Sequence, residues 1–151
     1  MPKIKFKIAT PEKVVLEDEI DQITLPTKMG EITILPNHIP LVSSLKPGEI
    51  LIKKEGREIP MVTSGGFAEF TANSLVILAD TAERAEEIDE AEAEEARKRA
   101  EELLQRKGKA TEEAIDYTAL AAKLEKELAR LKVARKYRRH RPPKPTIRLE
   151  E

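Results

Sequence analysis

The chain has 151 residues, room for one domain plus an appendage, and a formal net charge of −1. It has no cysteine or tryptophan, three phenylalanines and two tyrosines, which excludes a disulfide scaffold and thiol chemistry and demands an aliphatic core. No run approaches the ~18 apolar residues of a membrane span, and MPKIKFKIATPE has no apolar leader region, so a soluble or peripheral protein without membrane insertion is expected.

The first half reads as short strands. Ile4, Phe6 and Ile8 alternate with Lys3, Lys5 and Lys7, the pattern of a half-buried strand with a lysine face in water. Thr10-Pro11-Glu12 turns the chain, Lys13 to Leu16 begins a second strand, and Ile20 to Leu25 forms a third that Pro26 should stop. After a turn at Met29-Gly30-Glu31, a fourth strand carries Ile32, Ile34 and Leu35. Pro36-Asn37-His38 breaks it, and Ile39 to Leu45 is extended, with Pro40 marking an edge. Pro47-Gly48 turns into Glu49 to Lys54, and Glu55-Gly56 into Arg57 to Thr63. Ser64-Gly65-Gly66 bends before Phe67 to Thr71, and Asn73-Ser74 leads to Leu75 to Ala79. Gly65-Gly66 lacks the Lys-Ser/Thr ending of a phosphate loop and precedes a strand, so it reads as a tight bend. Strands this short and this frequent predict an antiparallel sandwich or flattened barrel, because two packed sheets bury the Ile, Val and Leu of both.

The period changes across Asp80 to Arg84. From Asp89, with Glu92 three residues on, a capping box opens a helix whose stripe runs through Ile88, Ala91 or Glu92, Ala96, Ala100, Leu103 and Leu104. Gly108 is its expected stop and Thr111 the cap of a second helix. There, Tyr117, Ala121, Leu124, Leu128 and Leu131 are spaced as a heptad seam. An antiparallel hairpin with so much alanine buries little apolar area and should be weakly attached, and thus able to move. Pro142, Pro143 and Pro145 end the helix and leave a flexible tail. The fold class is thus a ten-stranded antiparallel β-sandwich followed by a two-helix antiparallel hairpin, divided as residues 1–84, 85–140 and a tail of 141–151.

Charge is unevenly placed. Residues 83–102 carry ten carboxylates, and residues 130–148 carry nine Lys or Arg and no acid. The acidic run reads as a solvated helix face, and the basic end as a docking group for an acidic surface. Nucleic-acid binding through the basic tail is an alternative, although Tyr137 is the sole aromatic interleaved there. His38 has no partner at metal-ligand spacing, so no metal site is expected, and no catalytic constellation stands out.

Three stretches carry a resemblance: Gly30-Glu31-Ile32-Thr33-Ile34-Leu35-Pro36-Asn37-His38-Ile39-Pro40-Leu41-Val42, Ser64-Gly65-Gly66-Phe67-Ala68-Glu69, and Leu78-Ala79-Asp80-Thr81-Ala82-Glu83 leading into Ile88-Asp89. In this order and spacing they resemble the epsilon subunit of the bacterial F-type ATP synthase (delta in the mitochondrial naming). The resemblance covers about residues 3 to 138. It implies a non-catalytic rotor subunit, peripheral on the cytoplasmic face of the cell membrane. Its sandwich would bind the gamma subunit and sit on the loops of the c-ring, coupling ion-driven rotation to ATP synthesis. Its hairpin would rise into the catalytic head, meet the alpha and beta subunits and inhibit ATP hydrolysis.

Carried over by position, Glu31 and His38 match c-ring contacts. The basic end, Arg135, Lys136, Arg138 and Arg139, matches the group that meets a beta subunit. Some relatives bind ATP at the hairpin; Glu83, Asp89 and Arg99 match that pattern here. Glu92 stands where the pattern has arginine, and Ala119 and Lys126 stand at two further arginine positions. A carboxylate facing a triphosphate is repulsive, so neither ATP nor any other cofactor is expected. An ATP-sensing module is the alternative reading.

Overall fold

The structure, a computed structural model, describes residues 2–106 and 116–138. Ten strands come first: β1 (Ile4–Ala9), β2 (Val14–Ile20), β3 (Gln22–Thr27), β4 (Gly30–Ile34), β5 (Leu41–Leu45), β6 (Gly48–Lys54), β7 (Arg57–Thr63), β8 (Gly66–Thr71), β9 (Ser74–Ala79) and β10 (Ala82–Arg84). A 3-10 turn at Ala85–Glu87 leads to helix α1 (Glu90–Gln105), and helix α2 (Tyr117–Lys136) follows.

The strands run in the order β10-β7-β6-β3-β5-β8-β9-β1-β2, with β4 added onto β3. Each pair is antiparallel except β1 and β9, which are parallel. A hairpin can join only antiparallel neighbours, and β9 returns to β1 after the chain has laid down seven intervening strands. The order bends at β3 and β5, which share the single register pair Thr27–Leu45. One layer is then β10-β7-β6-β3-β4 and the other β5-β8-β9-β1-β2. Two ion pairs lie where β2 passes into β3, with Lys54 Nζ 2.5 Å from Asp18 and Lys3 Nζ 2.5 Å from Asp21.

Ile4, Phe6 and Ile8 point inward as their alternation predicts, meeting Ile23, Leu25, Ile50, Ile52, Met61, Phe70, Leu75 and Ile77 in one buried core. Each such side chain stabilises the fold by about 1.5–3 kcal/mol relative to exposure. Gly66, at φ +142°, shows why the Ser-Gly-Gly bend needs glycine: an added Cβ would lie 2.1 Å from the Leu78 carbonyl oxygen. Across the bend, the Thr63 hydroxyl donates to the Gly65 carbonyl and accepts from the Gly65 N–H, both at 3.1 Å.

Several strand limits differ from the sequence reading. Pro26 does not stop β3, which continues through it to Thr27; Pro26 faces Glu31 of β4, and its carbonyl accepts from Lys46 N–H at 2.9 Å. The turn is shorter than expected, with Gly30 at φ +120° already starting β4. Residues 36–40 form a loop, so the extended stretch expected from Ile39 begins as a strand only at Leu41.

The helices also depart from the expected stripes. Asp89 caps α1, accepting from Glu92 N–H at 3.1 Å. The buried face of α1 is Ala93, Ala96 and Ala100; Ala91, Glu92 and Leu103 are exposed. In α2, Ala121 and Leu128 are exposed, the latter by 46%, and the inward positions are Leu120, Leu124, Glu127, Leu131 and Ala134. Leu124 and Leu131 keep the predicted seam, while its alternate positions fall one residue earlier, at Leu120 and Glu127 in place of Ala121 and Leu128. The cause is that α2 packs on two neighbours at once, α1 on one side and the sandwich on the other. Asp116 caps α2, accepting from Ala119 N–H at 3.1 Å. Gly108, Thr111, Arg139 and the tail from 141 lie outside the described residues.

Candidate functional site

The hairpin seats on the β10 side of the sandwich. Val62 of β7, Ala85, Ile88 and the α2 residues Val133 and Ala134 form a small buried cluster, flanked by Ala129 and Tyr137. Alanines on α1 let the two helices approach closely but supply little hydrophobic area. Charge supplements them. Arg130 donates from Nε to Glu83 of β10 at 2.5 Å and from a terminal nitrogen to Glu127 at 2.9 Å. Glu127 is only 4% exposed, so the guanidinium compensates a carboxylate that would otherwise be desolvated and unpaired. Burial pulls the Arg130 pKa down, but hydrogen bonds to Glu83 and Glu127 outweigh it, and the group ends above the ordinary arginine value.

The basic end of α2 is engaged within the chain. Arg135 reaches Glu90 and Glu94 of α1, each at 3.3 Å, and Arg138 also pairs with Glu90. Lys136 donates to Glu49 of β6 at 2.9 Å, and the Tyr137 hydroxyl donates to the same carboxylate. The Arg135 and Arg138 pairs join the C-terminal end of α2 to the N-terminal end of α1, as in an antiparallel pair of helices, and the Glu49 contacts tie the same end to β6. The Arg138 hydrogen bond, followed by that of Arg135 and working against burial, holds the Glu90 carboxyl below its usual range. Glu94 is lowered chiefly by Arg97 of its own helix, at 2.6 Å. Glu49 likewise raises the Lys136 ammonium. Glu49, Glu90, Glu94 and Arg130 escaped the sequence reading as a network because the partners that tie them to other elements lie 41–88 positions away, and Glu127 joins it through Arg130 three positions on.

The residues of the nucleotide pattern are placed separately. Glu83 holds Arg130, Asp89 caps α1, and Arg99 and Glu92 are exposed on α1. Among the described residues there is no group of three His, Cys, Asp or Glu able to hold a metal, and no helix is long and apolar enough to cross a membrane.

At another part of the sandwich, His38 lies in the loop after β4. Its Nδ1 is 2.7 Å from the Ile39 carbonyl, and its ring meets Phe70 edge-on at 5.9 Å. Asn37 and Asn73 clamp that loop: Asn37 N–H donates to Asn73 Oδ1 at 2.6 Å and Asn73 Nδ2 to Asn37 Oδ1 at 3.0 Å. The clamp holds Leu35 and Ile39 exposed beside His38. Glu31 is exposed on β4, lining a cleft with Lys46, Glu49 and α2 residues Glu125, Leu128 and Lys132.

An apolar patch completes the site. Val42, Phe67 and Leu78 are 74%, 61% and 61% exposed. Ser44, Phe67 and Leu78 are aligned across β5, β8 and β9, and Val42, Glu69 and Val76 form the next row. The sequence held a signal for this patch: Phe67 is out of phase with Ala68 and Phe70, so alternation sends it to the outer face.

Comparison with known proteins agrees with this architecture. The family model described as ATP synthase, Delta/Epsilon chain, beta-sandwich domain matches residues 3–85, and that for the long alpha-helix domain matches residues 86–135. An ATP synthase epsilon chain of Chloroflexus aggregans is 47% identical over 131 residues, 87% of this chain and 91% of the relative. One of Herpetosiphon aurantiacus is 45% identical over 138 residues, 91% and 98% of the two chains. Among solved structures, a chain of the Euglena gracilis mitochondrial ATP synthase (OSCP/F1/c-ring) superposes with TM-score 0.70 and 26% identity, covering 85% of this chain and 79% of that one. A chain of the Tetrahymena thermophila enzyme (central stalk/c-ring) shares the fold at TM-score 0.54 and 22% identity, covering 87% and 96%. Sandwich, hairpin and both domain matches place this chain in the ATP synthase delta/epsilon family, as a non-catalytic subunit type of that complex.

Proposed function

We propose that the chain is a central-stalk subunit whose sandwich joins the gamma subunit to the c-ring and whose hairpin restrains ATP hydrolysis. The observation that carries this reading is the exposed patch of Val42, Phe67 and Leu78, an apolar sheet face of the kind that marks a protein interface. It is assigned to the gamma subunit. The clamped tip with Leu35, His38 and Ile39, together with Glu31, is assigned to the polar loops of the c-ring. Bound at both surfaces, the subunit turns with the rotor, coupling ion flow to ATP synthesis on the cytoplasmic face of the membrane. Arg135, Lys136, Arg138 and Arg139 are assigned to an acidic surface of the catalytic head, on an alpha or beta subunit. No nucleotide is assigned to the hairpin, since Glu92 would repel a triphosphate and Glu83 is taken by Arg130.

Co-purification of tagged chain with the gamma subunit and c-ring tests the rotor assignment. The pair F67E/L78E, on the outer face, should keep the fold and lose gamma. Retention of gamma at wild-type level would remove this surface from the assignment.

A further inference from the structure

Strand β10 has three residues and covers β7 only from Met61 to Thr63. The chain then turns off into Ala85–Glu87. The first part of β7, Arg57 to Pro60, therefore has β6 on one side and no strand on the other. A cavity of about 660 Å³ stands in that gap, a volume in the range of ligand sites.

The ladder decides what the gap offers. Glu55 and Gly56, at φ +51° and +74°, form a two-residue turn between β6 and β7. Its closing residues, Lys54 and Arg57, are then a hydrogen-bonded pair, and such pairs alternate with non-bonded ones along an antiparallel ladder. Ile59 thus bonds to β6, whereas Glu58 turns its N–H and C=O to the open side. Pro60 fits the same phase, having no N–H to present there. Side chains alternate too. Arg57 shares the face of Met61, and Arg84, opposite Met61, joins it. Pro60 shares the other face with Val62 and lines the cavity with Tyr137. Glu86 lies 3.8 Å from Arg84. Arg57 is exposed and makes no ion pair among the described residues.

We propose that this cleft takes an extended peptide segment of a partner protein, added to β7 as a short strand. Its acidic side chains face Arg57 and Arg84, and its apolar ones face Pro60 and Tyr137. The main-chain groups of Glu58 bind its backbone, and strand alternation sets the acidic–apolar pattern. The site uses none of the residues assigned above to the gamma subunit, the c-ring or the catalytic head.

The test is binding of fluorescein-labelled Val-Glu-Val-Glu-Val to the full chain, followed by anisotropy, with Val-Lys-Val-Lys-Val as control. The acidic probe should bind about tenfold tighter than the basic one, and R57E should weaken it about tenfold. E58A keeps the main-chain donor and should bind like wild type. E58P lacks it and should bind about tenfold more weakly. The acidic probe N-methylated at its valines asks the same question of the wild-type chain, and should lose the same affinity whether or not E58P folds. No binding of the acidic probe at about 1 mM, or full affinity of the methylated probe, would overturn the strand pairing. Equal affinity of the two probes would overturn the charge pattern. Self-association of the chain that E58P abolishes would give the edge to a second copy and overturn the assignment to a partner.

Discussion

Arg130 of α2 and Glu83 of β10 form an ion pair across 47 positions, with Nε 2.5 Å from one carboxylate oxygen and a terminal nitrogen 3.5 Å from the other. With Glu127 on the same guanidinium, this pair fixes which turn of α2 rests on the sandwich. Apolar contact alone would specify the register poorly, because alanine positions are nearly interchangeable.

Removal of Arg130 leaves two carboxylates without their cation. R130M should destabilise hairpin docking by about 2–4 kcal/mol, whereas R130M/E127L should cost less, since the orphaned Glu127 is gone. Hydrogen exchange should register the loss in α2 amides while β3 and β6 stay protected. Equal exchange in the two variants would show that Glu127 does not depend on Arg130.

The Gly66 site makes a sharper demand. G66A drives a methyl group toward the Leu78 carbonyl at 2.1 Å, and neither backbone can yield without disturbing the β8–β9 pairing. A loss of about 3–5 kcal/mol is expected by urea unfolding. G56A, with open space around its Cβ position, should cost much less despite its positive φ.

The ion pairs between β2–β3 and their neighbours set an acid response. Hydrogen bonding to Lys54, then to the Glu19 backbone, holds Asp18 below its ordinary range; Lys3, then the Glu55 backbone, does so for Asp21. A lowered folded-state pKa gives stability that is complete above the ordinary Asp value of about 3.9 and lost as pH falls through the folded values beneath it. Urea midpoints of wild type and D18N/D21N should therefore differ at pH 6 and converge toward pH 2. A constant difference across that range would count against the pairs.

Hydrolysis by the assembled ATP synthase tests the arm directly. Deletion of residues 89–151 should preserve rotor assembly and raise hydrolysis severalfold, and reversal of Arg135, Lys136, Arg138 and Arg139 to Glu should do the same in part. A loss of assembly with the deletion would mean that the hairpin also serves attachment.

By itself, the sequence determined the strand alternation, the Ser-Gly-Gly bend, the caps at Asp89 and the basic end, because each depends on residues within a few positions of one another. The family likeness was legible in three short motifs for the same reason. Tertiary structure alone decided the parallel β1–β9 pair, the passage of β3 through Pro26 and the use of Leu120 and Glu127 in place of Ala121 and Leu128 in the α2 seam. Periodicity reports that a helix has a favoured face, but it cannot say that two neighbours compete for it. In α2 that competition places Glu127 inward and Leu128 outward, an arrangement made tolerable by Arg130 and by Glu83 from a distant strand. The acids of α1 show the same limit: read along the chain they are a solvated face, and only the fold sets Glu90 and Glu94 against the cations of α2.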